Sequence, residues 1–96
     1  MLGAWPYDRP VPTIALFYGI RILMHWNEHE PPHFHAEYAG RKAVVDIAEG
    51  VVMSGLLPRR QLKLVLAWAE LHTDELMDNW QLGKDGKPLR SIEGLR

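Results

Sequence analysis

The segment Asn27-Glu-His-Glu-Pro-Pro-His-Phe-His-Ala-Glu-Tyr38 gathers three of the chain's five histidines, three carboxylates and a Pro-Pro pair into twelve residues. Imidazoles change charge near neutral pH, so they can move protons, bind a metal ion or do neither. His33 and His35 are two residues apart, which on a strand puts both on one face together with Glu37. Phe34, Ala36 and Tyr38 then take the opposite face, which suits a core. His29 precedes the prolines and could fold back toward His33. Pro31 and Pro32 each lack a backbone donor, so the chain cannot lie in a sheet interior there.

Several readings of this pattern stand side by side. In the first, His33 and His35 act as acid and base on a phosphodiester, oriented by His29 and Glu37, with Arg21, Arg41 or Lys42 holding the phosphate. In the second, His33 and His35, with His29 or a carboxylate, bind a divalent ion such as zinc or nickel. An H-x-H pair does not by itself set the remaining ligands. In the third, the strand meets a protein partner and the histidines decorate its polar face. The plainest reading is a solvated strand face after a proline-shaped turn.

The elements around the segment follow from periodicity. "TIALFYG" and "IRILMHW" are rich in β-branched and aromatic residues and are separated at Gly19. In the second run Ile20, Ile22, Met24 and Trp26 share one face, and Arg21, Leu23 and His25 share the other. Ala39-Gly40 is a turn signal, and "RKAVVDIAEG" reads as the next strand. "VVMSG" is either a further short strand or a connection. Pro58 suits a first helical turn. From Arg59 to Trp80 one helix is expected, with Leu62, Val65, Leu66, Ala69, Thr73, Leu76 and Trp80 on one stripe. Gly83, Gly86 and Pro88 end it. Leu89–Arg96 is either a short strand or loose. The expected fold is α+β: a small antiparallel meander with one long C-terminal helix packed on one face. Residues 1–11 read as an irregular extension and 12–96 as a single domain.

His72 falls roughly 60° from the centre of the helical stripe at 100° per residue. It is expected as a half-buried boundary residue satisfied by a neighbour such as Glu75, and a helix on the Phe34 face would put the sheet between His72 and the other histidines. Trp68 and Trp80 are expected as core anchors. Arg59, Arg60 and Lys63 form a basic group where the helix dipole does not favour positive charge.

Composition limits the alternatives. Ninety-six residues point to one domain, and a 47% apolar share with four Trp supports a core. A net charge of −1 argues against a broad nucleic-acid surface, and the absence of cysteine removes disulfides and thiolate metal sites. No apolar run is long enough to span a membrane, and the start of the chain does not have the pattern of a secretory signal. The expectation is a soluble protein of a bacterial cytoplasm.

The motifs "PTIALFYGIRILMHWNEHEPPHFHAEYAGRKAVVDIAEG", "GLLPRR" and "LAWAELHTDEL" resemble a small bacterial family of unknown function, numbered 4160, over about Pro12–Pro88. The residues carrying the resemblance are His29, Pro31, Pro32, His33, Phe34, His35, Tyr38, Gly40, Trp68 and His72. Glu28 departs from it, since an Asp is common before the first histidine. The resemblance implies a toxin-like protein paired with an antitoxin-like protein from a neighbouring gene; joined to the acid–base reading of the histidines, it makes RNA or another phosphodiester the expected target. Tyr38 and His72 join the candidate site on this ground. A second similarity, to histidine-triad nucleotide hydrolases, fails at Glu37, where that class has a further histidine.

Overall fold

The computed structural model describes residues 11–96; the extension expected over residues 1–11 lies, but for Val11, outside the described residues. Five strands form one antiparallel sheet in chain order: β1 (Thr13–Phe17), β2 (Ile20–Leu23), β3 (His33–Tyr38), β4 (Arg41–Asp46) and β5 (Val51–Gly55). Helices α1 (Arg59–Leu71) and α2 (Thr73–Lys84) follow. The fold is α+β, as the patterning predicts.

Two-residue turns set the register. Tyr18 and Gly19 join β1 to β2 with φ of 49° and 76°, and Ala39 and Gly40 join β3 to β4 with φ of 49° and 80°. Two successive positive φ values are the hairpin geometry that matches strand twist, and glycine takes the second position without steric cost. With register set, residue parity decides the faces. Phe34 pairs with Val45, and Ala36 pairs with Ile22 and Ala43, so these side chains share one face. All five are buried.

The helices cover that face. Trp68, fully buried, lies 5.3 Å from Phe17 and 5.8 Å from Phe34, ring centre to ring centre. Val65, Ala69, Leu76 and Trp80 bury the rest of the expected stripe, whereas Leu62, Leu66 and Thr73 are only half-buried.

The single long helix is corrected to two. His72 adopts φ −123° and ψ 25°, outside helical geometry. Thr73 Oγ1 donates back to the carbonyls of Ala69 and Glu70, competing for the acceptors of that turn. Pro58 is also displaced by one position. Its ψ of 147° makes it the residue before the helix, and its carbonyl accepts from the Leu62 N–H at 2.9 Å.

"VVMSG" is a strand, β5, and the tail contains no strand. The tail is nonetheless held in place. Asn79, almost fully buried, pairs through its amide with the backbone N–H and carbonyl of Arg90. The Trp68 indole donates to the Glu93 carbonyl at 2.8 Å, and the Ile92 N–H donates to Ile14.

Candidate functional site

The site is built on the sheet face opposite Phe34 and Trp68, and α2 reaches it only at one end, where Trp80 meets His33. Register places Arg21 opposite Glu37, Leu23 opposite His35, and Glu37 opposite Lys42, so these residues line up across β2, β3 and β4. His25 continues the parity of Arg21 and Leu23 past the end of β2. Together with Val11 they line a hollow of about 370 Å³. Its apolar part is Val11 and Leu23, and Leu23 is buried although it lies on the opposite parity from the core residues of β2.

The loop between β2 and β3 completes the cluster. Asn27 turns the chain with φ 52°, and its N–H donates to the Gly83 carbonyl of α2 at 3.2 Å. The Trp26 indole donates to Lys87 O at 3.0 Å. Glu30 accepts from the Trp80 indole at 3.4 Å and from Lys84 at 3.3 Å. Glu30–Pro31 is a cis peptide. These ties hold the loop against the end of α2 and turn Glu28 toward the histidines.

Glu28 is the centre of the hydrogen bonding. Its Oε1 accepts from His35 Nε2 at 2.7 Å and from His33 Nε2 at 3.0 Å. His33 Nδ1 donates to the Pro31 carbonyl at 2.8 Å. Both ring nitrogens of His33 thus have an oxygen partner within hydrogen-bonding distance. His33 is only 8% exposed, with its ring 5.1 Å from that of Trp80. It is packed and doubly bonded, which suits holding Glu28 better than meeting a substrate. The His25 ring stands 4.5 Å from the His35 ring at the hollow.

Among the described residues, two groups titrate away from their ordinary ranges. Burial is the main cause that lowers the His25 pKa; the His35 charge adds to it and Glu28 opposes it. For Glu28, burial pushes the pKa up, but the hydrogen bonds from His35 and His33 outweigh it and the net shift is downward. His25 thus favours its neutral form and Glu28 its carboxylate.

The expected site residues separate into groups. His33 and His35 come together, joined by His25 and Glu28, which sequence reasoning did not assign to the site. The signal for His25 was its parity with Arg21. His29 is exposed and outside the cluster. Glu37 does not orient the histidines. It lies between Arg21, at 3.5 Å, and Lys42, at 4.0 Å. Arg41 pairs with Tyr38, on the opposite parity from Lys42, and both line a smaller hollow of about 210 Å³ at the hairpin tip. His72 bonds Glu75 at 2.5 Å and stacks near Trp68 on the helical side, as the boundary reading expects. A metal ion would find its donors in His25, Glu28 and His35, one atom from each, all within 4.8 Å of one another.

Fold and site together define a small α+β domain whose open sheet face carries a histidine–glutamate cluster. The chain belongs to the family described as a domain of unknown function (DUF4160), whose model matches residues 19–81. That span is shorter than the 12–88 over which the motifs resemble it. No curated protein and no solved structure matches the chain. Among the described residues no helix is long and apolar enough to cross a membrane.

Proposed function

We propose that the chain is an RNA-cleaving acid–base protein, the toxin member of a cytoplasmic two-gene pair whose other member is an antitoxin-like protein. The observation that carries the chemistry is the 4.5 Å approach of the His25 and His35 rings on a hollow that also holds Arg21 and Lys42. Two imidazoles beside fixed cations are the groups that phosphodiester transfer requires.

His25 is the base, because burial and its neighbour favour its neutral form. It takes the proton of a ribose 2′-hydroxyl. The freed oxygen attacks phosphorus, and the bond to the 5′-oxygen breaks. His35, held through Nε2 by Glu28, gives the leaving oxygen a proton. A 2′,3′-cyclic phosphate and a free 5′-hydroxyl result. Arg21 and Lys42 stabilise the charge on the equatorial oxygens, while His33 positions Glu28. This assigns His25 the part that the strand pattern alone would give to His33. Only two cations take part, and Glu37 partly neutralises both. The dependence on salt is therefore shallow, about −1.4 in log K against log salt for two phosphates of a single strand.

Purified protein incubated with single-stranded RNA in a chelator tests the proposal. Cleavage should leave cyclic phosphate ends and fall roughly 10²–10⁴-fold in His25→Ala and in His35→Ala, with His29→Ala unchanged. Intact RNA with the wild-type chain, or full cleavage by both variants, overturns it.

A further inference from the structure

We propose that His25 and His35, through one ring nitrogen each, and Glu28, through a carboxylate oxygen, form a binding site for a single divalent transition-metal ion of the zinc class. The inference rests on the acid–base reading only for its effect on cleavage; the binding itself stands apart from it.

The geometry is close to what an ion needs. Ligand atoms about 2.0–2.2 Å from a tetrahedral centre lie roughly 3.3–3.6 Å from one another. The three donor atoms already lie within 4.8 Å of one another, and His35 Nε2 stands 2.7 Å from Glu28 Oε1. An ion replaces the proton between those two atoms, with that pair opening by less than 1 Å and His25 closing from the other side. Two imidazoles and one carboxylate suit zinc, cobalt(II) or nickel(II) better than calcium or magnesium, which prefer all-oxygen shells.

The surroundings also resemble a metal site. A carboxylate that binds a metal is typically held by a further hydrogen bond. His33 supplies that bond at 3.0 Å and is itself fixed by the Pro31 carbonyl and Trp80. The loop carrying Glu28 is tied to α2 at Asn27 and Glu30, so the ligand does not have to be ordered on binding. Three protein ligands leave at least one coordination position, and the hollow with Arg21 and Lys42 opens beside it. Water or an anion fits there.

A bound ion takes the unprotonated ring nitrogen of His25, so the proposed base can no longer accept a proton, and the ion's positive charge lies against His35. Metal occupancy and RNA cleavage therefore exclude each other, and the ion acts as an inhibitor.

Cobalt(II) titrated into chelator-treated, full-length protein tests the site by its visible absorption, with zinc competition measured by calorimetry. One equivalent should bind. Affinity should fall more than a hundredfold in His25→Ala, His35→Ala and Glu28→Gln, and about 10–100-fold in His33→Asn, which removes the support of Glu28 but no ligand. His29→Ala should bind as the wild type does. Circular dichroism of each variant separates lost ligands from lost fold, and His25→Asn provides a milder change at the same position. No binding by the wild type, or binding lost in His29→Ala but kept in the folded His25 and His35 variants, overturns the proposal. One equivalent bound by a chain that leaves RNA intact supports the site and sinks the cleavage reading. Chelator-resistant cleavage that one equivalent of zinc leaves unchanged overturns the inhibitory role.

Discussion

The two faces of the sheet are made from the same strands, yet they do opposite work. The covered face carries Ile22, Phe34, Ala36, Ala43 and Val45 against Trp68, with none of the six more than 1% exposed. The open face carries Arg21, His35, Glu37 and Lys42 on alternate positions of those strands, with His25 just beyond β2. Apolar burial stabilises in proportion to the area removed from water and does not depend on fine direction. Apart from the buried Leu23 and His33, the open face is polar and half-solvated, so those groups contribute less to stability and remain free to change partners. Stability and chemistry are thereby separated by one step of residue parity.

The comparison is broken most severely at Phe34. Phe34→Ala removes a fully buried ring beside Trp68 and should cost about 3–5 kcal/mol, read as a lower midpoint in urea. A cost under about 1 kcal/mol would show that the covered face is not the main source of stability. A smaller effect is expected at Glu28, where two charge-assisted bonds meet at a partly exposed carboxylate. Glu28→Gln should cost about 1–2 kcal/mol in the same measurement, and no loss at all would mean that the cluster is not coupled to the fold.

The pH dependence sharpens the contrast, because the two described groups with shifted pKa values, His25 and Glu28, belong to the cluster on the open side. The His25 pKa is lowered on folding, so below the ordinary imidazole value near 6.5 the unfolded chain takes up more protons and stability falls. The Glu28 pKa is also lowered, so its contribution is present above the ordinary carboxylate range and is lost as pH falls through the folded value. Both signs agree: the melting temperature should decline on acidification from pH 7, first through His25 and then through Glu28. His25→Asn should flatten the first part of that decline. An unchanged slope would assign the effect elsewhere. The smallest effect belongs to the Arg21–Glu37–Lys42 ladder. Lys42→Ala should change stability by no more than about 1 kcal/mol, since a long and exposed ion pair is screened by water. A larger loss would show that the ladder is part of the core's support.

Much of this architecture was legible in the chain. Alternation in "HFHAEY" separates Phe34 from His35 by parity, and the Gly19 and Gly40 signals place the two hairpins. The helical stripe identifies Val65, Ala69, Leu76 and Trp80. The break at His72 was hidden, because an apolar period of 3.6 continues across it and only the local competition from Thr73 interrupts the backbone.

The sequence by itself determined which residues face the core, which face away, and where the histidines concentrate. Those properties follow from local periodicity and turn chemistry. Only the tertiary structure decided that Glu28, not Glu37, holds the histidines, and that His25 replaces His29 beside His35. Glu28 lies in an aperiodic loop whose direction is set by contacts to Trp80, Gly83 and Lys84, more than fifty residues away. No spacing within the loop encodes where a distant helix will hold it.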